Sequence, residues 1–424
     1  MLRVDVHKGF FIMGFRSSKA GLELIDQARL DKGFSNKYGQ NWAYASFTTQ
    51  STLKRFWQRK SIQPEVFIAI CKAVDCDWHD IVESSDITTS ECYVRRPPIE
   101  IECHAELRKP KALIRIKAPM RMGKTLLISD LVKCGQRLGY TTIRLDMRRM
   151  DESAISNPYE VMQWFCRNVY HQMNRDAQNI DALINTLWNS AYGNNDNSTI
   201  LIEQLVLNKV ESPVILAIDN LDRIFPYRES ATDFLGLLRS WHEDDSSNWK
   251  KLRIVLAHST DLYPTLNVEY SPFNVGKTVN LSEFTIEQVQ DFVTQIQANW
   301  SEADIEKLMS FVGGYPELIR IAVDYHKMNP SYGIQTLLET APTANGPYYN
   351  HLQKIYEKIT QLPELRPVLE VLARSKEPVV LRGQAAFYLD SLGLIRLQRE
   401  QAEIRNNLYR RFIQQQLKDA CQQT

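Results

Sequence analysis

The chain has no framework of cross-links and no membrane anchor. Its seven cysteines (Cys71, Cys76, Cys92, Cys103, Cys134, Cys166 and Cys421) are scattered and never spaced as CxxC. An odd, dispersed set supplies neither a disulfide scaffold nor a zinc site, so reduced thiols in a cytoplasmic protein are the expectation. The longest apolar stretch near the N-terminus, Phe10 to Phe15, is broken by Gly14 and is too short for a signal core or a membrane span. An excess of one charge is also missing. Fifty-one Lys/Arg against fifty Asp/Glu leave a formal net charge of +1, so a role on nucleic acid or at a membrane has to come from a local patch. No internal repeat or low-complexity tract appears either, so the chain does not read as an array of small units.

What is present is length and ordinary globular composition. With 424 residues, 44% hydrophobic and 24% charged, the chain exceeds one core of normal size and suggests two to four domains. The segment Met13-Gly14-Phe15-Arg16-Ser17-Ser18 imitates a myristoylation start but is internal. Initiation at Met13 accounts for it better, and residues 1–18 are expected to form a poorly packed extension.

From Gly21 the pattern is helical, with Leu22, Ile25, Ala28 and Leu30 at helical spacing and Gly33 as a stop. Further short helices are expected around Trp42–Phe47, Thr49–Trp57, from Pro64, and over Trp78–Val82, which makes 19–83 a compact helix-turn-helix module. Residues 84–98 read as a linker. From there strands alternate with helices: Ala112–Ala118, Leu126–Leu138, Thr141–Leu145, a helical 158–192, a polar loop Gly193–Ser198, then Val214–Ile218, Phe234–Trp241 and Leu252–Ala257. That order predicts an α/β core on a parallel sheet over 99–284. A helical lid over 285–342 follows, and then a winged-helix-like region over 343–424. In the latter, strands are expected at Val379–Leu381 and Leu394–Leu397, a turn at Gln398–Ala402, and a last helix at 406–418.

The stretch Lys117-Ala118-Pro119-Met120-Arg121-Met122-Gly123-Lys124-Thr125 fits a P-loop, with Ala118 in place of the first glycine. Such a loop turns successive backbone N–H groups inward and adds the positive end of a helix to hold phosphates. Gly123 allows close backbone approach, Lys124 supplies a charge to the terminal phosphate oxygens, Thr125 ligates Mg²⁺, and Leu126 continues into the helix. A strand closing in acids, Val214-Ile215-Leu216-Ala217-Ile218-Asp219-Asn220-Leu221-Asp222, supplies the second half of the motif. Asp219 is placed to hold Mg²⁺. Asn220 stands where an acid would orient the attacking water, and loss of a general base typically costs about 10²- to 10⁴-fold. Hydrolysis is therefore expected to be slow unless Asp222 substitutes. Ser259, in His258-Ser259-Thr260, ends the next strand where a sensor would sit, though a strand-end polar residue explains it equally. Gly313-Gly314-Tyr315-Pro316 heads a helix carrying Arg320; Pro316 and Arg320 are candidate nucleotide contacts, and a helix start with Pro in its first turn is the plainer alternative.

Together these stretches resemble the AAA-like domain family of cyanobacterial type, close to the STAND signalling ATPases. The resemblance is carried by Tyr93–Glu100, Ala112–Leu127, Leu237–Glu243, Ala257–Thr260, Ser271–Gly276 and Val312–Pro316, and spans about Cys92 to Phe412. It implies ATP or ADP with Mg²⁺ as cofactors, and an adenine-contacting role for the Arg96–Glu100 segment. Members of the family usually carry Glu at the position of Asn220, which puts turnover in doubt but not nucleotide binding.

Between Arg16 and Lys60 nine Lys/Arg face three acids, and from Ser61 to Glu91 one Lys faces seven. Thr49, Gln50, Ser51, Lys54, Arg55 and Arg59 fit a reader helix on double-stranded DNA, with Leu53, Phe56 and Trp57 as its anchors. A helical adaptor with a merely solvated basic face fits the same residues. Gly21–Lys32 and Ser51–Cys71 resemble the N-terminal helix-turn-helix of vWA–MoxR-associated proteins, which implies a partner that is either DNA or a protein effector. Arg410 and Arg411 close a segment similar to the winged helix of STAND and origin-recognition ATPases, which usually packs on the nucleotide as a switch; DNA contact fits the two arginines, and an intramolecular lid is the plainer alternative. The overall expectation is a nucleotide-dependent switch that binds DNA or self-associates as a homo-oligomer, with Arg223, Arg228 and Arg239 as candidates for an arginine reaching a neighbouring subunit. A non-hydrolysing scaffold and a DNA-remodelling helper ATPase are the alternatives. No membrane role is expected.

Overall fold

The structure is a computed structural model describing residues 16–60, 62–76, 78–81, 92–173, 180–259, 274–329, 332–343 and 345–422. The chain divides into two compact units, one of residues up to Val94 together with Gln290–Ser301, the other of Arg95–Val289 and Glu302–Thr424. Among the described residues no helix is long and apolar enough to cross a membrane.

The first unit contains α1 (Lys19–Asp31), α2 (Gln40–Ala45), α3 (Gln50–Trp57), α4 (Pro64–Lys72) and α5 (Trp78–Ile81). Short polar side chains start two of them: the Ser18 hydroxyl accepts from the Gly21 N–H at 2.8 Å, and the Thr49 hydroxyl from the Thr52 N–H at 3.2 Å. Ile25, Trp42, Leu53, Phe56, Phe67, Ile70 and Ile81 form its core. Gly21 is required by this packing, because a Cβ there would stand 2.4 Å from the Ile81 carbonyl oxygen. Of the extension expected over 1–18, residues 1–15 lie outside the described residues. Ser17 is buried, its hydroxyl donating to the Phe56 carbonyl at 2.7 Å.

The second unit opens with α6 (Ile99–Leu107) and β1 (Leu113–Lys117), followed by α7 (Lys124–Arg137) and β2 (Thr141–Asp146). Then come α8 (Glu152–Ile155), α9 (Pro158–Met173), α10 (Ile180–Leu187), α11 (Asn194–Leu205), β3 (Val214–Asp219), α12 (Arg228–Glu243), β4 (Leu252–His258) and β5 (Lys277–Asn280). The five strands make one parallel sheet in the order β2-β3-β4-β1-β5. β3 and β4 are buried at every position, as continuous apolar runs in a parallel sheet covered on both faces must be. The α/β core expected from the sequence is thus what the chain forms. Helix α7 lies so close to β3 that a Cβ on Gly135 would meet Ile215 Cδ1 at 2.1 Å.

One expectation of local structure is corrected here, and one strand was not anticipated. Gly193–Ser198 is not a loop, since α11 begins at Asn194. The buried Asn197 amide donates to the carbonyls of Asn189, Tyr192 and Gly193 at 3.0 to 3.1 Å, so polarity here serves to tie the preceding turn. The edge strand β5 gave no signal in the sequence, because its Lys-Thr-Val-Asn run buries only Val279.

Helix α13 (Ile286–Gln295) follows, its residues from Gln290 counting with the first unit, then α14 (Glu302–Val312), α15 (Pro316–Met328) and α16 (Ile334–Thr340). The chain ends with α17 (Tyr349–Thr360), α18 (Leu365–Arg374), β6 (Val379–Val380), α19 (Gln384–Ser391), β7 (Ile395–Gln398), β8 (Gln401–Ile404) and α20 (Asn407–Gln422). β6, β8 and β7 form a small antiparallel sheet in that order. The turn expected over Gln398–Ala402 is shorter than anticipated. Arg399 takes the left-handed conformation at φ 58°, and β8 has already begun at Gln401.

Candidate functional site

The site lies at the C-terminal edge of the parallel sheet. After β1 the chain passes through Ala118, Pro119, Met120, Arg121 and Met122 to Gly123, the left-handed N-cap of α7 at φ 96°. Lys124, only 7% exposed, folds its ammonium into this loop, donating to Ala118 O at 2.7 Å, Pro119 O at 2.9 Å and Ser259 Oγ at 3.1 Å. Burial pushes its pKa down to about 8, against the pull of Asp222 and Asp219. Its three hydrogen-bond partners among the described residues are neutral oxygens, so a buried cation beside a helix N-terminus remains for an anion to match.

Beside it the Thr125 hydroxyl donates to Asp219 Oδ2 at 2.7 Å. Asp219, at the end of β3, is 1% exposed, and its Oδ1 accepts from the Asn220 N–H at 2.9 Å. One hydroxyl and one carboxylate, already in contact, fit a Mg²⁺ ion that keeps most of its coordination for phosphate and water. Among the described residues no group of three or more His, Cys, Asp or Glu is placed to hold a metal ion.

Asn220 is left-handed at φ 55°, and its Nδ2 donates to Asp146 Oδ1 at 2.9 Å. Asp146 ends β2 and stands level with Asp219 in the strand pairing. Arg148 holds both Asp146 oxygens, at 3.1 Å from Nε to each and 2.7 Å from Nη2 to Oδ2. Burial tends to raise the Asp146 pKa, but the hydrogen bonds from Arg148 and Asn220 outweigh it and bring the carboxyl below its usual range. Asp222 Oδ1 accepts from the Ser259 N–H at 3.0 Å, tying the end of β4 to the turn after β3. Thr260 lies outside the described residues.

Behind the loop, the buried Arg96 donates from Nη2 to Met122 O at 2.7 Å and packs over the Phe284 ring at 4.6 Å. A Cβ on Gly123 would reach Arg96 Nη2 at 3.2 Å. Arg96 therefore braces the P-loop backbone. Leu126 is part-exposed in the first turn of α7.

The outer side of the P-loop is gripped by the C-terminal helices. Met120 N–H donates to Ser391 O at 2.9 Å, and the Tyr315 hydroxyl donates to Met120 O. Arg121 reaches Glu317 Oε1 at 3.1 Å and His351 Nδ1 at 3.0 Å; His351 Nε2 shares a hydrogen bond of 2.8 Å with the Tyr409 hydroxyl and stacks on that ring. Lys358 Nζ lies 3.3 Å from Met120 Sδ, its pKa lowered by burial and by Arg121. Pro316 occupies the first turn of α15, and Arg320 pairs with Glu317 and Asp324 on the same helix, so it meets the loop through the carboxylate it shares with Arg121. Sequence reasoning missed Asp146, His351, Lys358, Ser391 and Tyr409. None was singled out for a role; Tyr409 lay in the winged-helix-like segment that ends in Arg410 and Arg411, and Tyr315 in the Gly313–Pro316 stretch.

On α3 the six candidate reader residues divide. Thr49 caps the helix and bonds Ser51 Oγ at 2.8 Å, Gln50 donates to Tyr38 O at 2.9 Å, and Arg59 donates to Ser17 O at 3.0 Å. Ser51, Lys54 and Arg55 are exposed, while Leu53 and Phe56 are buried as expected. Of the three arginines considered for a neighbouring subunit, Arg223 donates to Arg148 O at 2.6 Å, Arg239 pairs with Glu243, and Arg228 begins α12.

Comparison with known proteins places the fold. No curated protein matches the sequence. A Walker-type ATPase of Pyrococcus abyssi superposes with a TM-score of 0.53 over 77% of this chain and 97% of that one, at 14% identity. ORC2 of Aeropyrum pernix, solved as ADPNP–ADP complexes, gives a TM-score of 0.45 at 13% identity over 78% and 97% of the two chains. A STAND protein of Pyrococcus horikoshii with a tetratricopeptide-repeat sensor gives 0.35 at 15% identity over 77% and 44%. The family model of the AAA-like domain matches residues 82–415, more than three quarters of the sequence, and the chain belongs to that AAA-like family, with a P-loop ATPase fold.

Proposed function

We propose that the chain is an ATP-binding molecular switch of the STAND and AAA-like kind, with slow hydrolysis. The observation that carries this reading is the two-sided environment of one loop. Its inner side gathers Lys124, Thr125 and Asp219, and its outer side is held by Ser391, Tyr315, Glu317 and His351 from the C-terminal helices. A ligand that moves the loop by a fraction of an ångström acts directly on three helices, α15, α17 and α19, which is the coupling a switch needs.

In this reading the N–H groups of residues 121–125 and the Lys124 ammonium receive the phosphates of ATP or ADP, and Thr125 and Asp219 hold Mg²⁺. Arg96 supports the loop from behind, and the Arg96–Glu100 segment is the candidate for contact with the adenine. The bound Mg²⁺ supplies charge neutralisation at the terminal phosphates. Residues 285–342 act as a helical lid and 343–424 as a winged-helix-like module, after a helix-turn-helix over 19–83 and a linker over 84–98. The output is binding of double-stranded DNA through the exposed Ser51, Lys54 and Arg55, or self-association of nucleotide-bound copies.

A second reading of the N-terminal unit, as an adaptor for a protein effector, is favoured by two aromatic side chains just before α3: Tyr44 is 86% and Phe47 94% exposed.

The deciding experiment is equilibrium ATP binding to the full chain and to Lys124→Ala. Loss of the ammonium is expected to weaken ATP binding by at least about tenfold, since a charge-assisted contact contributes roughly 1.5–3 kcal/mol. Unchanged affinity in the variant, or no binding by the unmodified chain, overturns the reading.

A further inference from the structure

The position that follows the metal-binding acid holds Asn220, which cannot take a proton. A carboxylate nevertheless stands beside it, supplied by the neighbouring strand. The parallel pairing sets Asp146 level with Asp219, one strand spacing of about 4.8 Å away. The Asn220 side chain turns towards it and donates from Nδ2 to Oδ1 at 2.9 Å. That bond fixes the amide: with its NH₂ on Asp146, its carbonyl oxygen faces the other way and is left to accept a hydrogen. Asp146 Oδ2 meets Arg148 alone among the described residues and retains acceptor capacity, and the Arg148 side chain is 64% exposed, so that contact yields easily to water. Arg148 and Asn220 together keep the Asp146 carboxyl ionised at neutral pH.

We propose that Asp146 is the catalytic carboxylate of nucleotide hydrolysis, working with Asn220 as a divided general base. This rests on the nucleotide reading above and extends it to the residue that handles the water. The Asn220 carbonyl orients the water, and Asp146 receives its proton. The water oxygen forms a bond to the terminal phosphorus. The bond from that phosphorus to the bridging oxygen breaks, its electron pair leaving on the diphosphate. The proton held at Asp146 then passes to the released phosphate, restoring the carboxylate.

The test uses the full chain with Asp146→Asn, which preserves shape and a hydrogen-bonding side chain, so the fold is expected to melt at the unmodified temperature. Three quantities are read: ATP affinity, single-turnover hydrolysis, and retention of ADP with fluoroaluminate as a mimic of the reacting phosphate. The expected result is unchanged ATP affinity, a rate lower by about 10²-fold or more, and loss of the fluoroaluminate complex. Asn220→Glu added to Asp146→Asn restores turnover by placing a carboxylate one strand over. Turnover of Asp146→Asn equal to the unmodified chain overturns the proposal, and so does an unmodified chain that binds ATP without hydrolysing it. A drop in rate matched by an equal drop in ATP affinity also overturns it, since that is the mark of a structural role. Failure of the unmodified chain to bind ATP is a different result and removes the nucleotide reading itself.

Discussion

At the scale of single residues, the state of Lys124 governs how the site responds to pH. Its ammonium is buried among neutral oxygens, and burial brings its pKa from 10.5 to about 8. Phosphate requires the charged form and raises that pKa again on binding. The free protein must therefore take up a proton in order to bind whenever the pH exceeds about 8. ATP affinity is expected to stay level below about pH 7 and to fall by up to about tenfold per pH unit above about 8. Equilibrium titrations at constant ionic strength check this, and an affinity level to about pH 9.5 contradicts it. The same shift has a defined sign for stability. The folded pKa lies below that of an unfolded lysine, so the cost is fully present below about 8 and is relieved as the pH climbs towards 10.5. His351 takes no part near neutrality, because burial, reinforced by Arg121, pushes its pKa down to about 3. Lys124, Thr125 and Asp219 were legible in the sequence because their chemistry requires neighbours in sequence: a strand, a tight turn, a helix start. Asp146, His351 and Lys358 were not, because an acid at a strand end, a histidine on a helix and a lysine on another acquire meaning only when folding brings them to one loop.

At the scale of elements, α3 is the segment whose role is most open to measurement. Its apolar face, Leu53 and Phe56, is buried, and Lys54 and Arg55 are exposed. Changing both to Ala is expected to weaken binding of duplex DNA and to flatten the plot of log affinity against log salt by about 0.9 for each phosphate the helix no longer neutralises. Fluorescence anisotropy at several salt concentrations reads this, and an unaltered slope removes α3 from the interface. The periodicity of α3 was plain because one face carries all its large apolar groups. The start of α11 was not plain, since a polar run that builds a buried network around Asn197 looks like a loop in the sequence. Strand β5 was hidden for the converse reason: an edge strand with one buried side chain has no pattern to show.

At the scale of the whole molecule, each unit carries its own hydrophobic core, and the larger one joins two structural classes through the P-loop. The parallel sheet supplies the loop, and helices beyond residue 315 hold it. Tyr315 is central to this grip: its hydroxyl donates to Met120 O, and its ring leaves no room for a side chain at Gly393, where a Cβ would lie 2.1 Å from the hydroxyl. Tyr315→Phe deletes one donor and leaves the ring. It is expected to lower unfolding stability by about 1 kcal/mol and to speed ADP release, because the loop loses an anchor on its outer side. Stopped-flow release of a fluorescent ADP separates the two effects: slower or unaltered release, with stability reduced, shows that the grip is scaffolding without a part in exchange.

The pairing of β2 with β3 carries a consequence beyond this chain's own chemistry. Parallel strands end in step, so their last residues form a row of interchangeable mounts above a core that does not register which mount is occupied. A proton-accepting group can pass from one strand to the next by two substitutions, with no hydrophobic contact disturbed. A protein that lacks an acid at the usual place should therefore be inspected along the whole row before it is judged unable to turn over.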